Sequence, residues 1–219
     1  MNTFMSLIVT VPFIVPMIAW VPIIIGVIIA LVSGTVAIIV YQPKKLYGWK
    51  ISVLGMQMAG KTQLLANIRN IPYLEYDPTQ DYKYEAFKVH LGNRDVKIRA
   101  GKDIGGGDEY CSVYEDLMKE SDIIFFVFDG YRYLNEKSYK DNVQARLSFI
   151  HRHLNKQEFV TFITHKDSYH NKKDTSNALN DIIKSVSEKK YRTLFNNNIF
   201  FLDMRQKDEL LKELDKLFK

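Results

Sequence analysis

No charged side chain occurs before Lys44. All 30 basic and 25 acidic residues follow that point, so the net charge of +5 belongs wholly to the later part of the chain. The 219 residues therefore divide into one domain and an uncharged N-terminal segment. Cysteine is almost as scarce. A single residue, Cys111, excludes an internal disulfide and suits a reducing compartment. Long runs of one charge are missing too. Lys and Arg interleave with Asp and Glu, which describes a solvated mixed surface and argues against nucleic acid as a partner. No internal repeat and no low-complexity linker interrupts the chain.

Residues Phe4 to Val40 are almost entirely apolar. As one helix they would extend about 55 Å, against a hydrocarbon layer of about 30 Å. They form either one long kinked element or two shorter ones. Ile23–Tyr41 is long enough to cross a bilayer alone and is expected to be a transmembrane helix. Phe4–Trp20 carries Pro12 and Pro16, with Pro22 just beyond, and prolines kink or break helices. That piece is either a second crossing or a re-entrant or interfacial segment. The apolar stretch is too long for a signal-peptide core and has no basic leader before it. Residues 1–43 are thus expected to be a membrane anchor of one or two helices. Lys44, Lys45 and Lys50 follow directly, which places the rest of the chain in the cytosol. The membrane itself is either a bacterial inner membrane or the endoplasmic reticulum. Gly26, Ala30 and Gly34 are spaced four apart, a stripe through which two helices can approach closely and pair into a homo-oligomer.

From residue 47 to 219 short β-branched and aromatic runs alternate with helical periodicity, the pattern of an α/β domain with a mostly parallel sheet. Trp49–Leu54 reads as a strand, Thr62–Ile68 as a helix. Tyr82–Leu91 and Arg94–Ala100 read as a hairpin turning at Gly92-Asn93. Gly105-Gly106-Gly107 reads as a flexible loop. Ile123–Phe128 is a buried strand ending at Asp129, Phe159–Thr164 the next, Ile199–Leu202 the last. Leu179, Ile182, Ile183 and Val186 mark the apolar face of a helix capped by Asp174 or Thr175. Six strands in one sheet are expected.

The chemistry concentrates between the first strand and first helix. Gly55-Met56-Gln57-Met58-Ala59-Gly60-Lys61-Thr62 fits the phosphate-loop pattern G-x-x-x-x-G-K-[ST] in its required strand–loop–helix setting. Gly55 and Gly60 let the backbone curl so that successive N–H groups converge on an anion, and the helix adds its positive end. Gln57, Met58, Ala59 and Gln63 complete the cradle. Lys61 is placed to meet the β- and γ-phosphates, and the Thr62 hydroxyl to bind Mg²⁺.

With these residues in view, residues 49–219 resemble a small Ras-type GTPase, most closely the Arf branch. The loop matches that branch's G-x-x-x-A-G-K-T, Ala59 included, and Asp103-Ile104-Gly105-Gly106 matches its D-x-G-G motif. An anchor ahead of such a domain also resembles the β subunit of the signal-recognition-particle receptor. The resemblance implies a P-loop fold, GTP and GDP as ligands, and Mg²⁺ held by Thr62, Asp103 and Thr79. It implies that the Gly106 N–H meets the γ-phosphate.

Three departures from the family pattern stand out. Gly107 occupies the place of the glutamine that orients the attacking water, so slow or partner-dependent hydrolysis is expected and no residue stands out as catalytic; Asp108 and Glu109 lie nearby. The base-reading N-K-x-D motif is written Thr164-His165-Lys166-Asp167. Asp167 keeps the carboxylate that accepts guanine N1–H and N2–H, while His165 either stacks on the base or is an ordinary strand-end histidine. The S-A-K motif is replaced by Asp203-Met204-Arg205, leaving the Met204 N–H for guanine O6. The expected function is a membrane-anchored switch that recruits a cytosolic protein. A nearly permanently GTP-loaded scaffold and a nucleotide-gated membrane effector are the alternatives.

Overall fold

The computed structural model describes residues 48–72, 82–196 and 198–218, the side chains of Tyr82, Glu109 and Tyr110 excepted. The expected anchor 1–43, its Gly26, Ala30 and Gly34 stripe, and Thr79 lie outside the described residues. Among the described residues no helix is long and apolar enough to cross a membrane. The chain divides between Leu46 and Tyr47, and the described residues belong to the second unit.

Strand β1 (Ile51–Gly55) leads through the phosphate loop into helix α1 (Lys61–Arg69). Four short strands follow: β2 (Tyr82–Tyr84), β3 (Phe87–Leu91), β4 (Arg94–Ile98) and β5 (Gly101–Asp103). A 3₁₀ turn, Asp108–Val113, opens into α2 (Tyr114–Glu120). Then come β6 (Ile123–Asp129), α3 (Gly130–Asn135), α4 (Lys137–His153) and β7 (Glu158–Thr164). Helix α5 (Lys172–Val186), β8 (Ile199–Phe201) and α6 (Lys207–Leu217) close the fold.

Six strands form one sheet in the order β2-β5-β1-β6-β7-β8. Every neighbouring pair is parallel except β2 with β5. The central strands are buried from end to end: all seven residues of β6, and all of β7 after Glu158. Helices covering both faces of a parallel sheet demand such uninterrupted apolar runs, and Ile-Ile-Phe-Phe-Val-Phe supplies one. Inside, Phe125 meets Phe162 edge to face with ring centres 5.2 Å apart. The hairpin β3–β4 forms its own two-stranded sheet, and the alternating burial of both strands marks one dry and one wet face.

Two expectations need correcting. The segment Tyr82–Leu91 is not one strand: exposed Glu85 and Ala86 separate β2, which pairs with β5, from β3, which pairs with β4. Likewise Arg94–Ala100 stops at Ile98, and the chain re-enters the main sheet at Gly101. Helix α5 begins earlier than its apolar spacing indicates. Its cap is Asn171, whose side chain accepts from the Asp174 N–H at 3.0 Å, while Thr175 only donates its hydroxyl back to the Asn171 carbonyl. Its buried face is Ala178, Ile182 and Val186; Ile183 is exposed.

The topology fixes where a ligand sits. Strand β1 has β5 on one side and β6 on the other: after β1 the chain runs to the β2–β5 side, and after β5 it crosses back to β6, so the strand order reverses beside β1. In open α/β sheets the crevice at such a reversal, beyond the carboxyl ends of the strands, is the ligand site. Gly55 is level with Val127, and Asp129 is level with Thr164, so β1, β6 and β7 end on one rim.

Candidate functional site

The phosphate loop leaves β1 at Gly55, whose φ is 141°. A side chain there would collide with β6: a Cβ would lie 2.0 Å from the Val127 carbonyl oxygen. Gly60 precedes α1 with φ 88°, again a left-handed backbone. Between them Met58 adopts φ 56° and stands 80% exposed. A left-handed residue with a side chain costs about 1–2 kcal/mol, and such strain concentrates at ligand clamps. Gln57 is exposed, Ala59 is fully buried, and the Gln63 amide donates to Asn67 at 3.1 Å.

Lys61 is only 6% exposed and donates to the Met56 carbonyl at 2.9 Å, folding its ammonium back over the loop. Burial pushes its pKa down to about 8, with Asp103 pulling the other way and Arg146 adding to the depression. The Thr62 hydroxyl donates to the Asp103 carboxylate at 3.1 Å. Asp103 ends β5 and is fully buried. These two oxygen donors thus come together from residues 41 apart in sequence. Among the described residues no group of three or more His, Cys, Asp or Glu side chains is placed to hold a metal ion by itself. A hydroxyl beside one carboxylate suits a hard cation that keeps waters and takes phosphate oxygens for its other ligands.

Gly105-Gly106-Gly107 does not form a loose loop at its start. Gly105 and Gly106 are buried, and a Cβ on Gly106 would lie 2.3 Å from the Gln57 backbone nitrogen and 2.5 Å from the Lys61 ammonium nitrogen. The expected γ-phosphate residue therefore packs directly on the phosphate loop.

Sequence reasoning missed the residues that brace this loop from behind. Arg146, on α4, has a side chain 5% exposed. Its guanidinium donates to the Gly55 carbonyl at 3.0 Å and to the Tyr114 hydroxyl at 2.9 Å, and pairs with Asp108 at 2.7 Å. The Tyr114 hydroxyl also lies 3.2 Å from both the N–H and the carbonyl of Gly55. Burial pushes the Tyr114 phenol up, so it stays protonated. One buried cation thus ties the first loop glycine to the segment just after Gly107. No motif marks Arg146 or Tyr114; the only clue was an arginine at a buried helical position beside Val143 and Leu147.

At the far end of the rim Thr164 closes β7, buried, with its hydroxyl donating to the Phe128 carbonyl at 3.2 Å. His165 takes φ 60°. Its Nδ1 lies 3.0 Å from the Thr164 hydroxyl and 3.2 Å from the Asp129 carboxylate, so the imidazole is tethered. Asp167 stands in the short turn Lys166–Ser168 and pairs with Arg205 at 2.8 Å. Met204 is buried, and its carbonyl accepts from the Asn67 amide of α1 at 2.6 Å. Asn67 thereby binds the loop expected to meet the base to the phosphate-loop helix, another link that spacing does not reveal.

A phosphate loop at the reversal point of a parallel sheet, with a carboxylate and a threonine hydroxyl beside it, defines a P-loop nucleotide-binding domain of the small-GTPase type. The profile of the ADP-ribosylation factor family matches residues 37–219, and the chain belongs to that family of GTP-binding proteins. It is 30% identical over 80 residues to ADP-ribosylation factor-like protein 4A of Homo sapiens, and equally to those of Mus musculus and Bos taurus. Each match covers 36% of this chain, and the chain spans only 40% of the length of these curated relatives.

Proposed function

We propose that this protein is a membrane-anchored GTP switch of the Arf type that recruits a cytosolic partner and hydrolyses GTP slowly. The observation that carries the reading is the assembly of Lys61, Thr62, Asp103 and Gly106 on one curled loop. The loop amides and the Lys61 ammonium would receive the β- and γ-phosphates. Thr62 and Asp103, with Thr79 as a third donor, would hold Mg²⁺, which neutralises charge between the phosphates. Contacts of residues 71–81 and 105–108 with the γ-phosphate would build the partner surface, and their loss would release the partner.

Base preference tests the nucleotide half of this reading. Asp167→Asn turns one acceptor into a donor, which faces the C2 oxygen of xanthine. Calorimetry with guanosine and xanthosine diphosphates is expected to show the preference move at least tenfold toward xanthine. An unchanged ratio would mean that the base is held in another way.

The membrane half rests on the uncharged stretch before Lys44 and the Lys44, Lys45 and Lys50 flank. With the anchor in place, the architecture would resemble that of the signal-recognition-particle receptor β subunit. Protease should spare the nucleotide-binding domain in intact cells and remove it in inverted vesicles. Digestion in intact cells would reverse the proposed orientation.

A second reading, a scaffold that keeps its GTP, is favoured by Gly107 together with the engagement of Asp108 by Arg146. Neither residue then positions water.

A further inference from the structure

A carboxylate that reads guanine works only if its plane is fixed. It offers two oxygens to two N–H groups on one edge of the base, and rotation about its own side-chain bond spoils both bonds together. A cation paired to the outer side of one oxygen can hold the plane while both inner lone pairs remain for the base.

In the structure that cation is Arg205. Arg205 clamps Asp203 through its side chain, Nε to Oδ1 at 3.0 Å and Nη2 to Oδ2 at 2.9 Å. The Arg205 backbone N–H also donates to Asp203 Oδ1 at 3.0 Å. The same Nη2 forms an ion pair with Asp167 Oδ2 at 2.8 Å, while its hydrogen bond goes to Asp203. Asp203 is 7% exposed at the end of β8, so the clamp is anchored on the sheet side while Arg205 itself faces solvent. The loop carrying the clamp is held in turn by the Asn67 bond to Met204 and by contact with Gly60, where a Cβ would lie 3.4 Å from the Met204 side chain. One guanidinium therefore lies between two carboxylates that would otherwise repel each other.

We propose that Arg205, anchored by Asp203, is the positioning residue for base recognition: its guanidinium, ion-paired to Asp167, holds that carboxylate toward the guanine edge. This rests on the guanine-nucleotide reading above. The opposite role is a competitor that occupies Asp167 and must be displaced before the base can bind. The two roles predict opposite signs.

The test uses the full chain in detergent, stripped of nucleotide, titrated with guanosine and inosine diphosphates. Inosine lacks the exocyclic amine, so the ratio of the two affinities reports the second Asp167 bond alone. Wild type should favour guanosine diphosphate at least tenfold. Arg205→Met should weaken guanosine diphosphate about tenfold and inosine diphosphate less, shrinking the ratio at least threefold. Arg205→Lys, which keeps a cationic donor, should recover part of the ratio. Arg205→Met also unpairs the buried Asp203 carboxylate, so its melting temperature without nucleotide should fall; the affinities are therefore compared at a temperature where all three proteins are folded, which separates orientation from folding. An unchanged ratio in Arg205→Met, or tighter guanosine diphosphate binding, overturns the positioning role and leaves the guanine reading standing. A wild type with no preference for guanosine over adenosine diphosphate removes both.

Discussion

Lys61→Met should lower affinity for GDP and GTP by about 10- to 100-fold, the range of one or two charge-assisted hydrogen bonds lost to phosphate. The more telling result is in the pH profile. Burial holds the Lys61 pKa near 8 in the nucleotide-free protein, against an ordinary value of 10.5. Above pH 8 the free site is increasingly neutral, and binding a polyphosphate must then bring a proton with it. Affinity should fall about tenfold per pH unit from about pH 8 upward, and the slope should vanish in Lys61→Met. The stability of the empty protein moves the other way. The unfolded chain keeps the lysine proton up to 10.5, so between about 8 and 10.5 the unfolded state binds more protons, and stability rises with pH across that window. Calorimetry in buffers of different ionisation enthalpy reads the proton uptake directly. A flat profile between pH 8 and 10 would show that the ammonium does not reach the phosphates.

The phosphate loop was legible in the sequence because its chemistry is local. Glycine at fixed intervals, lysine and threonine at the helix start, and a β-branched run before them are all consecutive, and each follows from backbone sterics. Asp103 was legible through a short motif, and the buried strands through their uninterrupted apolar runs. What escaped reading is what packing creates. Arg146 meets Gly55 across 91 positions, and Asn67 meets Met204 across 137. Periodicity marks Arg146 only as a charge on an otherwise buried face, without naming its acceptors. The strand break at Glu85 and Ala86 was hidden for a related reason. Both flanking segments have strand composition, and only the sheet decides that one pairs with β5 and the other with β4. The cap of α5 was misplaced because the apolar spacing read from the sequence starts at Leu179, about two turns into the helix, whereas the side-chain bond that starts it lies at Asn171.

Hydrolysis should be slow: the wild-type protein without a partner is expected to turn over GTP no faster than about 10⁻⁴ s⁻¹, the rate of unaided small GTPases. The reaction needs a positioned water, a metal-neutralised phosphate chain and a cation on the transferred group. In the proposed reading Lys61, Thr62 and Asp103 would meet the last two needs, but Gly107 has no side chain to place the water. Asp108, the nearest candidate to replace it, has its carboxylate on Arg146 at 2.7 Å and is held to the brace behind the loop. Gly107→Gln should therefore raise the single-turnover rate at least tenfold, since a positioned polar group contributes a factor of that order or more. The backbone permits the change. Gly107 has φ −68° and ψ 166°, an extended conformation open to any residue, so glutamine strains nothing there. GTP affinity measured beside the rate should stay within about threefold of wild type, confirming that the segment keeps its place on the phosphate loop. A wild-type turnover of about 1 s⁻¹ would mean that another residue positions the water, and it would remove the scaffold reading at the same time. Gln57, exposed on the phosphate loop and packed through its backbone against Gly106, is then the first position to change.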